Sequence, residues 1–315
     1  MSACGCCGSA LGPVGIQSPD RLHGVPGSFG VAECGSCGSG RTLPVADEEG
    51  LTAFYPSAYV PHGDAEGSRV AGAAALGSRA IRAWQASRML ASPALSAGRS
   101  LRPGRALDVG CGRGDLGAVL VERGWRVDGV EPSREACAAA RERGVNAQPG
   151  TLASVSLEPE AYDLVTFVHS LEHTVEPVAD LKRVAAAMRP GATVAVVVPH
   201  FGGAQARLFR GRWFHLDVPR HRHHFTAEGL RRALVETGLE VRRTATSTSA
   251  IGLAGSLQYA LLGRWALREG LGFRLTAALS QATWPLARLF DLLLGRYGLA
   301  GRGGGDLLHA VARRR

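Results

Sequence analysis

The segment Ala106-Leu107-Asp108-Val109-Gly110-Cys111-Gly112-Arg113-Gly114 joins an apolar run to a loop with glycine at every second position, and places an acid two residues before the first glycine. Glycines let the backbone approach a ligand where a Cβ would clash, and the helix start that follows such a loop offers unpaired N–H groups to an anion. The next apolar run ends in Val130-Glu131-Pro132. A carboxylate at that point can accept from both hydroxyls of a ribose, so loop and acid together describe a nucleotide-binding crevice. A dinucleotide fingerprint, G-x-G-x-x-G counted from Gly110, needs a third glycine where this chain has Asp115. A ligand carrying an ammonium beside its carboxylate would also give Asp108 a partner, which a pyrophosphate would not.

The pattern D-x-G-x-G-x-G resembles motif I of the class I S-adenosylmethionine-dependent methyltransferases. The resemblance implies an α/β, Rossmann-like, seven-stranded sheet whose last strand runs antiparallel, with S-adenosyl-L-methionine as cofactor. It places Asp108, Gly110, Cys111, Gly112, Gly114, Glu131, Pro132, Leu152, His169 and Leu171 around that cofactor. This superfamily often carries an acid for the adenine amino group just after the third strand. Residues 151–154 hold none, so backbone and apolar contacts from Leu152 are expected instead.

A second constellation opens the chain. Cys4-Gly5-Cys6-Cys7-Gly8 and Cys34-Gly35-Ser36-Cys37-Gly38 each read C-x-x-C-G, with 26 residues between the pairs. Two such turns supply the four thiolates that a tetrahedral structural zinc prefers, from Cys4, Cys7, Cys34 and Cys37. Cys6 is a spare that can replace Cys4, and reduced metal-free thiols are the alternative. Further on stands Tyr55-Pro56-Ser57-Ala58-Tyr59. A ribbon, a Y-P-x-x-Y box and then motif I resemble a bacterial group of zinc-ribbon class I methyltransferases from polysaccharide, lipid and natural-product pathways. The resemblance puts Tyr55 and Tyr59 near the cofactor or acceptor pocket; packing of a linker on the core is the equal alternative.

The histidines carry the remaining chemistry. The apolar run Tyr162 to Val168 leads directly into His169-Ser170-Leu171-Glu172-His173, and ligands of open α/β sheets bind beyond the carboxyl ends of strands. Either His169 or His173 can take a proton from an acceptor hydroxyl near neutral pH, or Glu172 and His173 can simply hold the loop. The run Val198-Pro199-His200 ends the next strand, and Trp213-Phe214-His215-Leu216-Asp217-Val218-Pro219-Arg220-His221-Arg222-His223-His224-Phe225-Thr226 resembles the family's W-x-x-L-D-x-P-R-H-x-x-H-F box. That resemblance suggests an acceptor loop: His200, Trp213 and Arg220 on the substrate, His221 or His224 as orienter or base. A salt-bridged loop buttressing the fifth strand is the competing reading. Zinc on the histidine run has no carboxylate or cysteine at a supporting spacing.

The elements that must position these groups follow from periodicity and caps. Strands are expected at 105–109, 126–130, 145–148, 162–168, 192–198, 239–248 and 305–313. Helices are expected at 66–90, 114–123, 133–143, 177–188 and 227–237, the last capped by Thr226. The chain divides into a ribbon (1–45), a linker with a capping helix (46–104), the cofactor-binding core (105–250), a helical insert (251–304) and the closing strand (305–315).

The net charge of +9 invites a nucleic-acid reading, but Lys182 is the only lysine among 36 basic residues and the arginines are scattered. No leader is visible at the first residues, and the apolar stretches of 251–294 are broken by Arg264, Arg268, Glu269, Arg274, Arg288 and Asp291. A cytoplasmic protein is expected, with the insert able to touch the inner face of a membrane or a lipid-linked acceptor. The expected reaction is O-methylation of a saccharide, glycolipid or secondary metabolite. C-methylation of a nucleotide-activated sugar, and a non-catalytic module that docks protein or RNA through its ribbon, are the rivals.

Overall fold

The computed structural model describes residues 2–45, 54, 102–249, 251–264, 284–287, 289, 293 and 304–315. Tyr55, Tyr59, the helix expected at 66–90 and most of the insert lie outside these residues.

Strands β1 (Leu11–Ser18), β2 (Phe29–Cys34) and β3 (Gly40–Leu43) form an antiparallel sheet around the cysteine turns. The core follows as β4 (Arg105–Val109), α1 (Asp115–Glu122), β5 (Arg126–Glu131), α2 (Arg134–Arg141), β6 (Asn146–Pro149), β7 (Tyr162–Val168), α3 (Pro177–Ala187) and β8 (Met188–Pro199). After α4 (Ala204–Phe209) come β9 (His223–His224), α5 (Ala227–Glu236), β10 (Leu239–Ser247), α6 (Gly252–Leu262) and β11 (Leu307–Arg314). Seven of these strands lie in the order β10-β11-β8-β7-β4-β5-β6. Only β11 runs against its neighbours, slotted between β8 and β10. This is the sheet expected of the class I fold.

Alternation along the central strands feeds two cores, since successive side chains point to opposite faces. Leu107, Val165, Phe167 and Val196 join Leu181 of α3 and Leu230 and Leu234 of α5 on one face. Ala106, Leu164 and Ala195 meet Leu116 and Leu120 of α1 and Cys137 and Ala140 of α2 on the other. The caps act as their residue types require. Ser133 accepts from the Ala136 N–H at 3.1 Å, and Thr226 from the Gly229 N–H at 3.1 Å.

Strand β8 starts four residues before the expected 192, through Arg189-Pro190-Gly191. The register explains it: Tyr162 pairs with Met188 but Leu164 with Thr193, so a bulge absorbs the Pro-Gly segment without ending the strand.

A larger departure concerns β9. These two residues of the histidine box form the fourth strand of the N-terminal sheet, Gly40 opposite His224 and Arg41 opposite His223. The Thr42 N–H donates to the Arg222 carbonyl at 2.9 Å, and the Thr42 hydroxyl donates to the His221 carbonyl at 2.6 Å. Just before β9, Arg220 has no exposed side-chain surface. Its guanidinium donates to both oxygens of Asp20 at 2.9 and 2.6 Å, to Asp217 at 2.6 Å and to the Phe54 carbonyl at 3.2 Å. Asp20 also receives the N–H groups of Leu22, His23 and Val25. Arg220 therefore braces its loop against the N-terminal segment through Asp20, where the sequence offered an acceptor contact or a salt-bridged loop on the fifth strand, and its donors are spent within the protein.

No helix among the described residues is long and apolar enough to cross a membrane.

Arg220→Met would leave the buried Asp20 and the partly buried Asp217 facing no cation, a change that costs about 3–5 kcal/mol for a buried pair. Urea unfolding of the variant should show a loss of that order. A loss within error of zero would mean that the two sheets are held together by other contacts.

Candidate functional site

Strand order reverses between β4 and β7, with β5 and β6 on one side and β8 on the other. Ligands of open α/β sheets sit at such a switch point, beyond the carboxyl ends of the strands. The segments that leave β4 and β7 there are the glycine loop and His169-Ser170.

Gly110, Gly112 and Gly114 have φ of +71°, +52° and +79°, a region closed to most side chains. Each glycine serves a different contact. A Cβ on Gly110 would lie 2.4 Å from the Ser170 Cβ, and one on Gly114 would lie 3.0 Å from Ala140 of α2. At Gly112 a Cβ would meet nothing within 4 Å, so that face of the loop is open to a ligand. Cys111 turns its thiol inward, within 2.6 Å of the position a Cβ on Gly129 would take, and offers only backbone to the crevice.

Glu131 ends β5 and is buried. Its carboxylate accepts from the Gly112 N–H at 3.1 Å and the Ser133 N–H at 2.9 Å, one on each oxygen. Two backbone donors thus aim the acid at the loop, where a carboxylate can accept from a ribose hydroxyl. Asp108 is buried at the end of β4 and accepts from the Thr166 hydroxyl at 2.6 Å. Burial, helped by the nearby Glu131 charge, raises its carboxyl to about 7 despite the Thr166 bond. Thr166 was missed in the sequence; a lone hydroxyl in the middle of the apolar β7 run was its only signal. Leu152 is buried on the turn after β6, Leu171 is fully buried in the core, and Pro132 is exposed.

Across the switch point, His169 adopts φ +53°, rare for a residue with a Cβ. Its Nδ1 lies 3.4 Å from Glu172, whose side chain is 1% exposed, while its own side chain is 34% exposed. His221 points into the same place, with Nε2 at 4.0 Å from Glu172 and 3.8 Å from Asp217. His173 packs edge-on against His221 with ring centroids 4.7 Å apart. Burial favours a raised Glu172 pKa, but His169, with His173 and His221 behind it, outweighs that and holds the carboxyl at about 2.

The remaining box residues have inward partners. His224 Nε2 is 2.9 Å from the Thr42 hydroxyl, and His223 Nε2 is 3.1 Å from the Val175 carbonyl. Burial lowers both imidazoles, His223 to about 3 and His224 well below its usual range. His223 and His224 alternate across β9 and do not converge on a common ligand. Trp213 is buried among Phe201, Val31 and Ile16, and His200 Nδ1 lies 3.0 Å from the Gly305 carbonyl. Among the residues expected on the acceptor side, His169 and His221 are brought together, whereas Trp213, Arg220 and His224 have partners between the sheets and His200 bonds the segment before β11.

In the N-terminal sheet, packed against the core near Thr226, the Cys4, Cys7, Cys34 and Cys37 sulfurs lie within 4.8 Å of one another. The Cys4–Cys37 and Cys7–Cys34 separations are both 3.6 Å. Tetrahedral zinc with Zn–S of about 2.3 Å sets sulfurs roughly 3.8 Å apart, so the donor set fits. The glycine after each pair has positive φ, and its N–H closes the turn onto the Cys4 or Cys34 carbonyl. Cys6 stands outside this set; its N–H faces the Cys4 sulfur at 3.4 Å.

A ligand whose ammonium sat beside the raised Asp108 would bind in a pH-sensitive way. An ammonium beside Asp108 favours its ionised form, so binding below about pH 7 must release a proton and tighten as pH rises to 7. Calorimetry of S-adenosylmethionine binding at pH 5.5–7, in buffers of different ionisation enthalpy, should detect that release. Proton-neutral binding would place the ammonium elsewhere.

Comparison with known proteins agrees with this crevice. The ubiquinone biosynthesis O-methyltransferase of Aeromonas salmonicida (strain A449) is 35% identical over 99 residues, covering 29% of this chain and 42% of that protein. The protein of the same name from Methylobacterium sp. (strain 4-46) is 32% identical over 171 residues, covering 50% of this chain and 65% of its own length. The chain thus spans less than two thirds of either relative. Among solved structures, a chain of the complex formed by the Haloferax volcanii Trm112 methyltransferase activator superposes with a TM-score of 0.50. It is 16% identical and covers 76% of this chain and 93% of its own, a likeness of fold. The methyltransferase domain family matches residues 78–244, more than half of the sequence and all of the crevice just described, and the chain belongs to that family.

Proposed function

We propose that this chain transfers a methyl group from S-adenosylmethionine to a hydroxyl of a small acceptor. The observation that carries the reading is the pairing, at one switch point, of a glycine loop aimed by Glu131 with a turn that presents His169. Asp108, Gly110, Gly112, Gly114 and Glu131 would hold the donor, with Leu152 near the base and Cys111 contributing backbone. The sulfonium methyl is the electrophile, so the residues need to bring an acceptor oxygen in line with it, exclude water and remove one proton. An oxygen acceptor is supported by the two relatives, both ubiquinone biosynthesis O-methyltransferases. A saccharide, a glycolipid or a secondary metabolite remains the proposed acceptor class.

Cys4, Cys7, Cys34 and Cys37 would hold a structural zinc, with no open position for substrate. The same reading places the protein in the cytoplasm. Exposed Leu257, Leu261 and Leu262 on α6 are where a lipid-linked acceptor or a membrane surface would be met.

Two measurements test these assignments separately. Calorimetry should show S-adenosylmethionine binding that weakens roughly 10–100-fold in Glu131→Ala, the loss expected for hydrogen bonds to a charged group. Unchanged affinity would remove Glu131 from the site, and absence of binding to the native chain would sink the methyltransferase reading. Metal analysis of protein kept reduced should find about one zinc per chain, as a four-thiolate site holds, and far less in Cys34→Ser. Equal content in both would take the metal away from these cysteines.

A further inference from the structure

Glu172 is a buried carboxylate whose two oxygens make no hydrogen bond. An ionised acid in that position needs a counter-charge, because burying it alone is prohibitively costly. Three imidazoles surround it, and two of them are tied elsewhere. His221 Nδ1 lies 2.8 Å from the His215 carbonyl and His173 Nδ1 lies 3.2 Å from the Arg220 carbonyl. A carbonyl can only accept, so both Nδ1 atoms carry hydrogen. In the neutral form His221 then turns a lone pair, at Nε2, toward Glu172. Burial lowers His173 to about 4 and also lowers His221, so both are neutral near neutral pH. Asp217 adds a second negative charge 3.8 Å from His221, and its own cation is Arg220.

His169 is the remaining neighbour. It sits on the crevice side of Glu172, and its left-handed backbone turns Nδ1 toward the carboxylate. Strain of this kind concentrates at functional sites. His309 of β11, which also acts electrostatically on His169, is buried and lowered to about 4, so it brings no charge near neutral pH.

We propose that Glu172 is the positioning carboxylate of His169, fixing Nδ1–H inward so that Nε2 faces the acceptor as general base. The proposal rests on the methyl-transfer reading. The acceptor oxygen forms a bond to the sulfonium methyl carbon, the carbon–sulfur bond breaks, and its electron pair stays on sulfur as a neutral thioether. The hydroxyl proton passes to His169 Nε2 and then to solvent, which reaches the half-buried imidazole. Glu172 supplies the negative charge against which the imidazolium forms. The pair is a base with an orienting acid behind it, recognised by geometry and not by sequence spacing.

The test is a pH titration of the full chain, labelled with 15N-histidine and followed by long-range 1H–15N spectra, with His169 assigned from His169→Gln. In the native chain, neutral His169 should be the Nδ1–H tautomer. Removing an opposite charge at this range shifts a pKa by about 1–3 units. Glu172→Gln should therefore lower the His169 pKa by about that much, at least tenfold in acidity, with Glu172→Asp falling between. An Nε2–H tautomer, or a His169 titration unchanged in the variants, would overturn the proposal. Should Glu172→Gln fail to fold, Glu172→Asp and the native tautomer decide alone. S-adenosylmethionine affinity, measured on the same samples, keeps this outcome separate from the parent reading. Absence of donor binding by the native chain refutes methyl transfer, while donor binding with an unshifted His169 refutes only the positioning role of Glu172.

Discussion

A guanidinium with no solvent contact, held between Asp20 and Asp217, decides how the N-terminal sheet sits on the core. Arg220 and Asp20 are 200 residues apart in sequence, yet they meet through two parallel hydrogen bonds. Bidentate geometry of this kind fixes orientation as well as distance. Such an arrangement stabilises little beyond what a well-packed apolar cluster would, but it tolerates no sliding, because any displacement strands a charge away from water. Asp20 is itself anchored by three backbone N–H groups, so the ribbon end of the contact is rigid.

From that point, order propagates toward the crevice. The loop leaving Arg220 donates the Arg222 N–H to the Glu172 carbonyl at 2.9 Å, and its own Arg220 carbonyl lies 3.2 Å from His173. The turn after β7 is therefore held from outside by the histidine box and from inside by its strand. On the opposite side of the switch point, the glycine loop is fixed by Glu131 and by close approach to Ser170. The two walls of the crevice thus depend on different supports. One is set within the parallel sheet, and the other is set by a segment braced against the ribbon.

That difference also explains what could be read from the chain alone. The parallel strands, their helices and the glycine loop obey local rules, and β4 and β7 appear at their expected residues. Glu131 was legible because a strand end and a glycine loop have a fixed relation in this fold. The box residues were legible as a group but not in their individual roles. Arg220 and His224 carry the residue types of a binding loop, and only their partners, Asp20 and Thr42, show that they face inward. Asp20 lies in an ordinary Ser-Pro-Asp turn of the ribbon with nothing to advertise a partner so far away. The Pro-Gly segment entering β8 was read as a break because bulge formation depends on the register of β7, a tertiary property.

Strand β9 makes the ribbon and the box a single structural unit. A two-residue strand cannot hold its place alone, and β3 without it would present an unpaired edge. The Cys4-Gly5-Cys6 turn completes the fit, since a Cβ on Gly5 would lie 2.4 Å from the His223 ring. A chimera that exchanged only the first 45 residues would oppose one protein's β3 and glycine turn to another's histidines. The histidine box is then not a cassette that could be exchanged independently of the cysteine-bearing sheet. The two segments, nearly two hundred residues apart, would have to be exchanged together as a matched pair.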